Sequence, residues 1–335
     1  MIRWNGKSVR CAVVVASGLS ASAANAQDIS RLTLIVGFSA GGNYDATGRL
    51  YARHFAKHLP GNPTIVVQNM PGAGSVQATN HIYNIAPKDG SMLGIVDGAI
   101  LFQALFGNPA AKYDPRRFAW IGGRAPEFPQ CAIMKAELPK SIEDARQREY
   151  VLGAAVGTRT VNHPRMLNAL IGTKFRLVTG FPGGAEITQA MERGEVDGWC
   201  GWSWGSIKRR QISWIKDGKM VLLVQTALRK SPDLPDVPLS LEFVKNEEDR
   251  GVMQTLVADT EIATPMIGPP GMEPARVDLL RKSFMAMLAD KELLADANKV
   301  GLDIEPVAGE VHQKTVEQMF SLPQRVIERA KDISQ

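Results

Sequence analysis

Repetition of one short unit constrains the fold of this 335-residue chain more than any other feature. Each unit starts with a β-branched run, continues through a glycine-rich turn and ends in a segment whose apolar residues have helical spacing. The first unit reads LTLIVGF, SAGGNYD and ATGRLYARHFAKHL over residues 32–59, and others begin at TIVVQN and at EYVLGAAVGT. Strands that alternate with helices at this spacing predict βαβ units, and therefore an α/β fold with parallel sheets.

The first 26 residues have the pattern of a signal peptide, and we exclude them from the fold. MIRWNGKSVR is a basic segment, CAVVVASGLSASAA is a short apolar one, and Ala24-Asn25-Ala26 fits an A-x-A cleavage site, which predicts an exported protein cleaved after Ala26. Removing 26 of 335 residues leaves 309, and the loss of three cations lowers the formal charge from +5 to +2. A nearly neutral chain gives no support to nucleic-acid binding.

Two loop-rich stretches divide the remaining chain. YDPRRFAWIGGRAPEFPQCAIMK contains too many Pro and Gly residues to be one regular element and is interpreted as a crossover between two lobes. ATPMIGPPGMEP is interpreted as the return crossover. The predicted domains are a first lobe of residues 27–125 plus 263–335 and a second lobe of residues 126–262. Clefts between domains are favoured sites for small ligands, so we expect the binding site there.

Two cysteines remain after cleavage of the leader, Cys131 and Cys200. An even pair in an oxidising compartment allows a disulfide. Two buried thiols are equally consistent with the sequence, because it does not show whether the two Cα atoms come within reach.

Cofactor and metal motifs are incomplete. Pro71-Gly72-Ala73-Gly74-Ser75 follows a predicted strand, as in a dinucleotide site, but Gln77 occupies the place of the third glycine. His54 and His58 would share a helix face, yet neither an H-E-x-x-H motif nor paired cysteines accompany them, and an exposed helix face explains them better. We therefore predict no cofactor and no metal.

A motif typical of serine hydrolases is more complete than the cofactor and metal motifs. Gly201-Trp202-Ser203-Trp204-Gly205 matches G-x-S-x-G between a predicted strand and helix, and it favours a secreted serine hydrolase with Ser203 as the nucleophile. His312 is the one histidine that follows Ser203, with Asp259 or Glu261 as the acid. Alternatively, Trp202 and Trp204 line a pocket or pack within a lobe.

Non-covalent capture of an anion fits more of the chain. Four turns, at residues 39–42, 72–75, 157–160 and 182–184, each place small residues at the start of a predicted helix. Helix N-termini carry unpaired amides and a partial positive charge, and glycine lets a ligand approach the backbone closely. Such turns lie together at the carboxyl ends of parallel strands.

The same segments resemble a known family. FSAGGNYDATGRLYARHFAKHL, VVQNMPGAGS and APKDG resemble the exported receptors of tripartite tricarboxylate transporters, the Bug family, and the resemblance continues through VTGFPGGAEITQAMERGEVDG and IGPPGMEPARVDLLRKSF. It implies a type II periplasmic-binding-protein fold, with two βαβ lobes of mixed, mostly parallel sheets around a ligand cleft. It also implies a periplasmic, monomeric protein that binds a small organic carboxylate without catalysis. The partners would be the membrane subunits of such a transporter, with a sensor kinase as another candidate.

The resemblance also implies a set of ligand contacts. Donors to one carboxylate would come from the first two turns, Asn69 would orient the second turn, and Thr158 would contact the ligand from the other lobe. The donor residues are Ser39, Gly41, Gly42, Gly74 and Ser75. Asp45 is expected to cap the first helix rather than to touch the ligand.

Some residues depart from the family pattern, and we expect them to affect which ligand the protein selects. Ser39 replaces the usual Pro, and Arg159 stands where a small residue is common, either as a partner of a ligand carboxylate or as a surface arginine. Tyr44 and Trp202 are expected to form an aromatic wall. Side-chain alternation along a strand keeps Trp199, Trp202 and Trp204 from all facing one cavity. The predicted ligand is therefore a dicarboxylate or an aromatic carboxylate.

Overall fold

The computed structural model describes residues 29–124, 127–134, 137, 139, 141–155, 158–181 and 183–334. The predicted signal peptide and its cleavage site after Ala26 lie outside these residues. Within the described ranges, no helix is both long enough and apolar enough to cross a membrane.

Strands and helices alternate through most of the chain, as the repeated unit predicts. The strands are Arg31–Val36 (β1), Thr64–Asn69 (β2), Met92–Ile95 (β3), Ala119–Gly123 (β4), Pro129–Ile133 (β5), Tyr150–Ala154 (β6), Phe175–Thr179 (β7), Gly198–Ser203 (β8), Val221–Gln225 (β9), Met266–Gly268 (β10) and Val307–Ala308 (β11). The helices are Asn43–Phe55 (α1), Val76–Asn84 (α2), Ile100–Leu105 (α3), Asp144–Gln147 (α4), Arg159–Ile171 (α5), Gly184–Glu192 (α6), Trp204–Arg210 (α7), Ile212–Lys216 (α8), Glu247–Val257 (α9), Pro274–Leu288 (α10), Lys291–Lys299 (α11), Gly309–Phe320 (α12) and Gln324–Ser334 (α13).

The strands form two mixed sheets, which confirms the α/β fold. The first has the order β11-β4-β10-β3-β1-β2 and the second the order β7-β6-β8-β5-β9. Parallel pairing joins β1 to β2 and β3, and β6 to β7 and β8. The strands β4, β5, β9, β10 and β11 pair with neighbouring strands in antiparallel fashion in the described residues, and Gln225 of β9 adds one isolated parallel bridge to Leu239. Both sheets are therefore mixed, as the predicted fold class has them.

The first sheet takes its strands from residues 31–123 and 266–308, and the second from residues 129–225. The predicted lobe boundaries stay a prediction, and one element differs from them. Helix α13 lies in the stretch predicted for the first lobe, yet it packs on α5 and α9 and buries Val326 and Ala330 in the core of the second sheet. Arg329 on this helix also pairs with Glu248 at the start of α9.

Apolar side chains cover both faces of the first sheet. Along β1, Leu34 and Val36 pack against Phe284 of α10, whereas Ile35 packs on the opposite face with Trp120. Successive side chains of a strand point to opposite faces, so a strand covered on both sides reads as a continuous apolar run. This burial accounts for the unbroken LTLIV of the first unit.

Cys131 of β5 and Cys200 of β8 are bonded to each other across two adjacent antiparallel strands. Both residues are fully buried, on the face of the second sheet that is covered by α5 and α9. The bridge closes a sequence separation of 69 residues. It therefore ties the strand that enters the second sheet to the strand that carries Trp199 and Trp202.

Reduction of this disulfide is expected to lower the free energy of unfolding by about 2 to 5 kcal/mol, because it releases a long closed loop in the unfolded chain. Denaturant titrations with and without reductant measure the loss. A Cys131→Ala, Cys200→Ala double variant serves as the control, and its stability should not respond to reductant. Two alkylatable thiols in the unreduced protein would contradict the bridge.

Candidate functional site

Two adjoining cavities lie between the sheets. The inner cavity, of about 210 Å³, and the outer cavity, of about 770 Å³, share Tyr44 and Gly201 in their linings. The inner lining is Phe38, Tyr44, Gly74, Asp97, Ala99, Gln103, Glu127, Thr158, Arg159, Thr160 and Gly201. Both linings combine residues that follow strands of the first sheet with residues of the second sheet. This is the position in which a ligand would touch both lobes.

The turn before α1 is held by Asp45. Its carboxylate accepts hydrogen bonds from the Gly41 amide at 2.9 Å, from Asn69 Nδ2 at 3.0 Å and from Arg49 Nε at 3.0 Å. Asn69 also donates to the Phe38 carbonyl at 2.9 Å. Asp45 lies in the first turn of α1 as predicted, but the N-cap position is taken by Gly42 and the Asp45 carboxylate holds the preceding amide. Two other assignments also differ. The Gly41 amide is already used by Asp45, and Asn69 orients the first turn instead of the second.

The turn before α2 is also closed by internal hydrogen bonds. Ser75 is fully buried, and its Oγ accepts from the Asp97 amide at 2.9 Å. Gly74 lines the inner cavity with a positive φ of 60°. The Ser75 hydroxyl thus connects the turn to the end of β3 and is not the free ligand donor that the resemblance implies. Ser39 is exposed and lies outside the linings of both cavities.

The start of α5 contributes Thr158 and Arg159 to the inner cavity. Thr158 caps the helix, because its Oγ1 accepts from the Thr160 amide at 3.2 Å and donates to the Ala155 carbonyl at 2.8 Å. Arg159 is not a surface arginine, since 13% of its side chain is exposed. Its Nε donates to Asp259 at 2.9 Å and its Nη1 donates to Glu127.

These charges alter one another's pKa values. Burial alone would lower the pKa of Arg159, but Glu127 and Asp259 raise it well above its ordinary value. Burial would raise the pKa of Glu127, yet the nearby Arg159 and Arg124 hold it below its usual range. Burial raises the pKa of Asp259 to about 6, against the opposing influence of Arg159. Perturbed titration of several groups around one cavity is typical of functional sites.

Tyr44 joins the two cavities. Its hydroxyl donates to Asp97 Oδ2 at 2.8 Å and its ring stacks on Phe38 at a centroid distance of 4.2 Å. Burial, followed by the charges of Asp97 and Glu127, raises the pKa of Tyr44 well above its ordinary value. Tyr44 therefore remains a neutral hydrogen-bond donor at physiological pH.

The tryptophans separate into a pair and a single residue. Trp199 and Trp202 stack at 4.7 Å and line the outer cavity, whereas Trp204 donates its indole N–H to Asp233 at 2.9 Å and lines a neighbouring cavity of about 250 Å³. Trp202 lines the outer cavity, its predicted contact with a ligand stays a prediction, and the three indoles do not share one cavity. Trp199 was missed, because Gly201 has φ +80° and the β5–β8 register shifts beside it, which returns Trp202 to the side of Trp199. Gly201, a glycine within the strand, was the sequence feature that could have predicted this irregularity.

The hydrolase alternative requires contacts that the described residues do not make. His312 is fully buried with its ring 5.9 Å from Trp120, and neither ring nitrogen has a hydrogen-bond partner among the described residues. Asp259 pairs with Arg159, and Glu261 pairs with Arg229 at 3.5 Å. Nucleophile, base and acid are therefore not brought together around Ser203.

The histidine pair at and just after α1 is explained by hydrogen bonding to carboxylates. His54 lies 3.1 Å from Asp296 and His58 lies 2.9 Å from Asp290, both carboxylates being at α11. Across the described ranges, no group of three or more His, Cys, Asp and Glu side chains is placed to hold a metal ion. The two histidines thus join α1 to the C-terminal part of the chain.

Replacing Asp45 with asparagine is expected to lower the free energy of unfolding by about 1 to 3 kcal/mol at neutral pH, because hydrogen bonds to a charged acceptor are lost. Arg49, together with the Gly41 amide, lowers the pKa of Asp45 to about 2. A lowered pKa stabilises the fold above the unfolded value near 3.9, and this contribution fades as the pH falls towards 2. The difference from wild type should therefore shrink below about pH 4.

Denaturant titrations over this pH range measure the effect. Asp217→Asn, at an exposed carboxylate that is 3.6 Å from Lys219, is the matched control and should change stability by less than about 0.5 kcal/mol. A difference for Asp45→Asn that does not vary with pH would contradict the assigned role.

The chain has a curated relative in sequence. No protein-family model matches the chain. A curated protein of Agrobacterium vitis, a UPF0065 protein in the TAR-I ttuE-ttuC' intergenic region, is 27% identical over 238 residues. The match covers 68% of this chain and 66% of the relative, so the chain spans slightly less than two thirds of that protein.

Solved structures resemble the chain over most of its length. A TctC solute-binding protein from Polaromonas, solved without ligand, has a TM-score of 0.66 at 19% identity, covering 90% of this chain and 97% of that one. An R. palustris protein solved with adipate has a TM-score of 0.65 at 20% identity, with the same coverage of 90% and 97%. The resemblance drawn from the sequence motifs is therefore confirmed: the chain is similar in sequence to a UPF0065 protein and has the fold of a TctC solute-binding protein.

Proposed function

We propose that the protein is a periplasmic solute-binding protein that captures a small organic carboxylate between its two lobes. It would deliver this ligand to the membrane subunits of a tripartite tricarboxylate-type transporter. The observation that carries the proposal is the outer cavity, whose lining includes the first residues of a helix from each lobe. Those residues are Asn43 of α1 and Gly184 of α6.

Charge around this cavity favours an anion. Its described lining contains Arg209 and Arg210 and no Asp or Glu. Each helix start adds unpaired amides and a partial positive charge, which typically stabilises a nearby anion by about 0.3 to 1 kcal/mol and more where it is partly buried. Two helix starts and two guanidinium groups thus act on one carboxylate in the same direction.

The stacked indoles of Trp199 and Trp202 supply the apolar part of the site. Aromatic faces stack favourably on other rings and bury apolar surface, so the site suits the ring of an aromatic acid as well as the carbon chain of an aliphatic one. The similar R. palustris protein solved with adipate supports an acid of this size.

Binding would act on the equilibrium between open and closed forms. A ligand that contacts both lobes binds the closed form better, and it shifts the population by that difference in affinity. A membrane partner that recognises the closed form would then distinguish the loaded protein from the empty one. A sensor kinase could read the same two forms, and pull-down with the membrane subunits separates the two partners.

A thermal-shift panel of succinate, adipate, malate, citrate and benzoate tests the proposal. A ligand at 100 times its Kd stabilises the native state by about 2.7 kcal/mol, so at least one acid should raise the Tm. Arg210→Gln should reduce this shift, whereas Lys216→Gln, an exposed cation outside the cavity lining, should not. The absence of any shift, together with p-nitrophenyl ester turnover that Ser203→Ala abolishes, would replace the proposal with the hydrolase.

A further inference from the structure

We propose, on the basis of the proposed function, that the ligand carries a cationic amine in addition to its carboxylate. The amine would lie in the inner cavity against Asp97 and Glu127, and the carboxylate in the outer cavity. The substrate class is then an amino acid or an aminated aromatic acid, and a plain dicarboxylate is disfavoured.

Excess negative charge at the inner cavity is the first observation. Asp97 and Glu127 line the cavity, and Asp259 is bonded to the lining residue Arg159. Arg159, together with the nearby Arg124 that acts on Glu127, therefore stands against three carboxylates. Glu127 and Asp259 are only 16% and 1% exposed. Arg159 already donates to both Glu127 and Asp259, so its single charge is shared between these two acids.

The second observation that favours an amine is that the hydrogen-bond partners of Asp97 are uncharged. Its two oxygens accept hydrogen bonds from the Tyr44 hydroxyl and from the Ala99 amide, each at 2.8 Å. Both donors are neutral, so they hold the carboxylate in place without cancelling its charge. A ligand ammonium in the cavity would supply the missing positive charge.

An unsatisfied atom of the same cluster is the third observation. Asp259 is fully buried, and its Oδ1 has no hydrogen-bond partner among the described residues, although its Oδ2 accepts from Arg159. Buried carboxylate oxygens are costly to leave unpaired. The backbone places Asp259 close to Glu127, because the Glu127 amide donates to the carbonyl of Thr260 at 2.7 Å. Asp259 therefore keeps one unpaired acceptor beside the residues that line the inner cavity.

Opposite charge in the two cavities gives the ligand an orientation. The described lining of the outer cavity has two arginines and no carboxylate, whereas the inner lining has Asp97 and Glu127 beside Arg159. The cavities meet at Tyr44 and Gly201, so one molecule can extend from one into the other. A second carboxylate in the inner cavity would face like charges, which suppresses binding of the wrong partner.

Isothermal titration with matched probe pairs tests the inference. The pairs are L-aspartate with succinate, and meta-aminomethylbenzoate with meta-methylbenzoate, so each pair differs by one amine. We expect the aminated acid of at least one pair to bind about tenfold more tightly or better than its plain counterpart. Equal or tighter binding of the plain acids would overturn the inference and leave the proposed function standing. No binding by any of the four probes or by the thermal-shift panel would overturn both.

Variants locate the amine. Glu127→Gln and Asp97→Asn should each lower the preference for the aminated probe about tenfold, since each removes one negative charge from the inner cavity. Asp97→Asn keeps an oxygen that can accept from Tyr44, so it remains informative if Glu127→Gln weakens the fold through Arg159. Glu195→Gln, at an exposed carboxylate paired with Arg193, is the charge-matched control and should leave the preference unchanged. An unchanged preference in both cavity variants would contradict the assignment.

Discussion

Replacing Arg159 with alanine is expected to lower the free energy of unfolding by about 3 to 5 kcal/mol. The guanidinium is buried between Glu127 and Asp259. Its removal leaves Asp259 without its paired cation and Glu127 with only the nearby Arg124. Breaking a buried pair from one side is costly, because the remaining charge has neither water nor a partner. Chemical denaturation at pH 7 measures the loss.

The pH dependence of this loss follows from the remaining carboxylates. Burial already raises the pKa of Asp259 to about 6 with Arg159 present, and removal of the cation should raise it further. A protonated carboxyl carries no uncompensated charge, so the penalty should be largest above about pH 6 and should diminish as the pH falls. Arg193→Ala, which breaks the exposed pair with Glu195, is the control and should cost less than about 1 kcal/mol. Equal losses in the two variants would show that Arg159 is not the cation of a buried cluster.

Replacing Gly201 with valine is expected to lower the free energy of unfolding by about 2 to 5 kcal/mol and to abolish ligand binding. Gly201 has φ +80°, a conformation that costs an L-residue about 1 to 2 kcal/mol and a β-branched one more. A Cβ there would lie 2.9 Å from Arg159 Cβ and 3.0 Å from its carbonyl carbon, so overpacking adds about 1 to 3 kcal/mol. The new side chain would also enter the junction of the two cavities.

Gly251→Ala is the matched control for this substitution. Gly251 lies in α9, and a Cβ there meets no atom within 4 Å among the described residues. Alanine is a better helix former than glycine, so this variant should be more stable by about 0.5 to 1 kcal/mol. A Gly201→Val protein with wild-type stability and wild-type affinity would show that the bulge is not required for the site.

Local pattern was enough to predict the units of this fold, but not the direction of every strand. β1, the Gly41-Gly42 turn and α1 lie where apolar spacing and turn residues place them, because these signals act over neighbouring residues. The antiparallel pairing of β4 with β10 depends on how the chain returns after residue 263, and short-range patterns carry no information on that path.

The site was predicted less completely, for reasons visible in three residues. Gly41 and Ser75 were expected to serve the ligand, yet the Gly41 amide is bonded to Asp45 and the Ser75 hydroxyl accepts from the Asp97 amide. Sequence spacing shows where a hydrogen-bond donor or acceptor lies, but it does not show which partner that group bonds to. Glu127 was missed altogether, since it lies in a loop of the crossover and gains its role through a contact with the distant Arg159.

Hydrogen exchange followed by mass spectrometry tests the central claim most directly, namely that a small acid binds between the two lobes. The protein would be compared without ligand and with a saturating concentration of the acid that gives the largest thermal shift. We predict slower amide exchange in two separate segments at once, residues 41–46 at the start of α1 and residues 199–206 around β8 and α7. Protection confined to one of these segments, or to neither, would contradict a ligand held between the lobes.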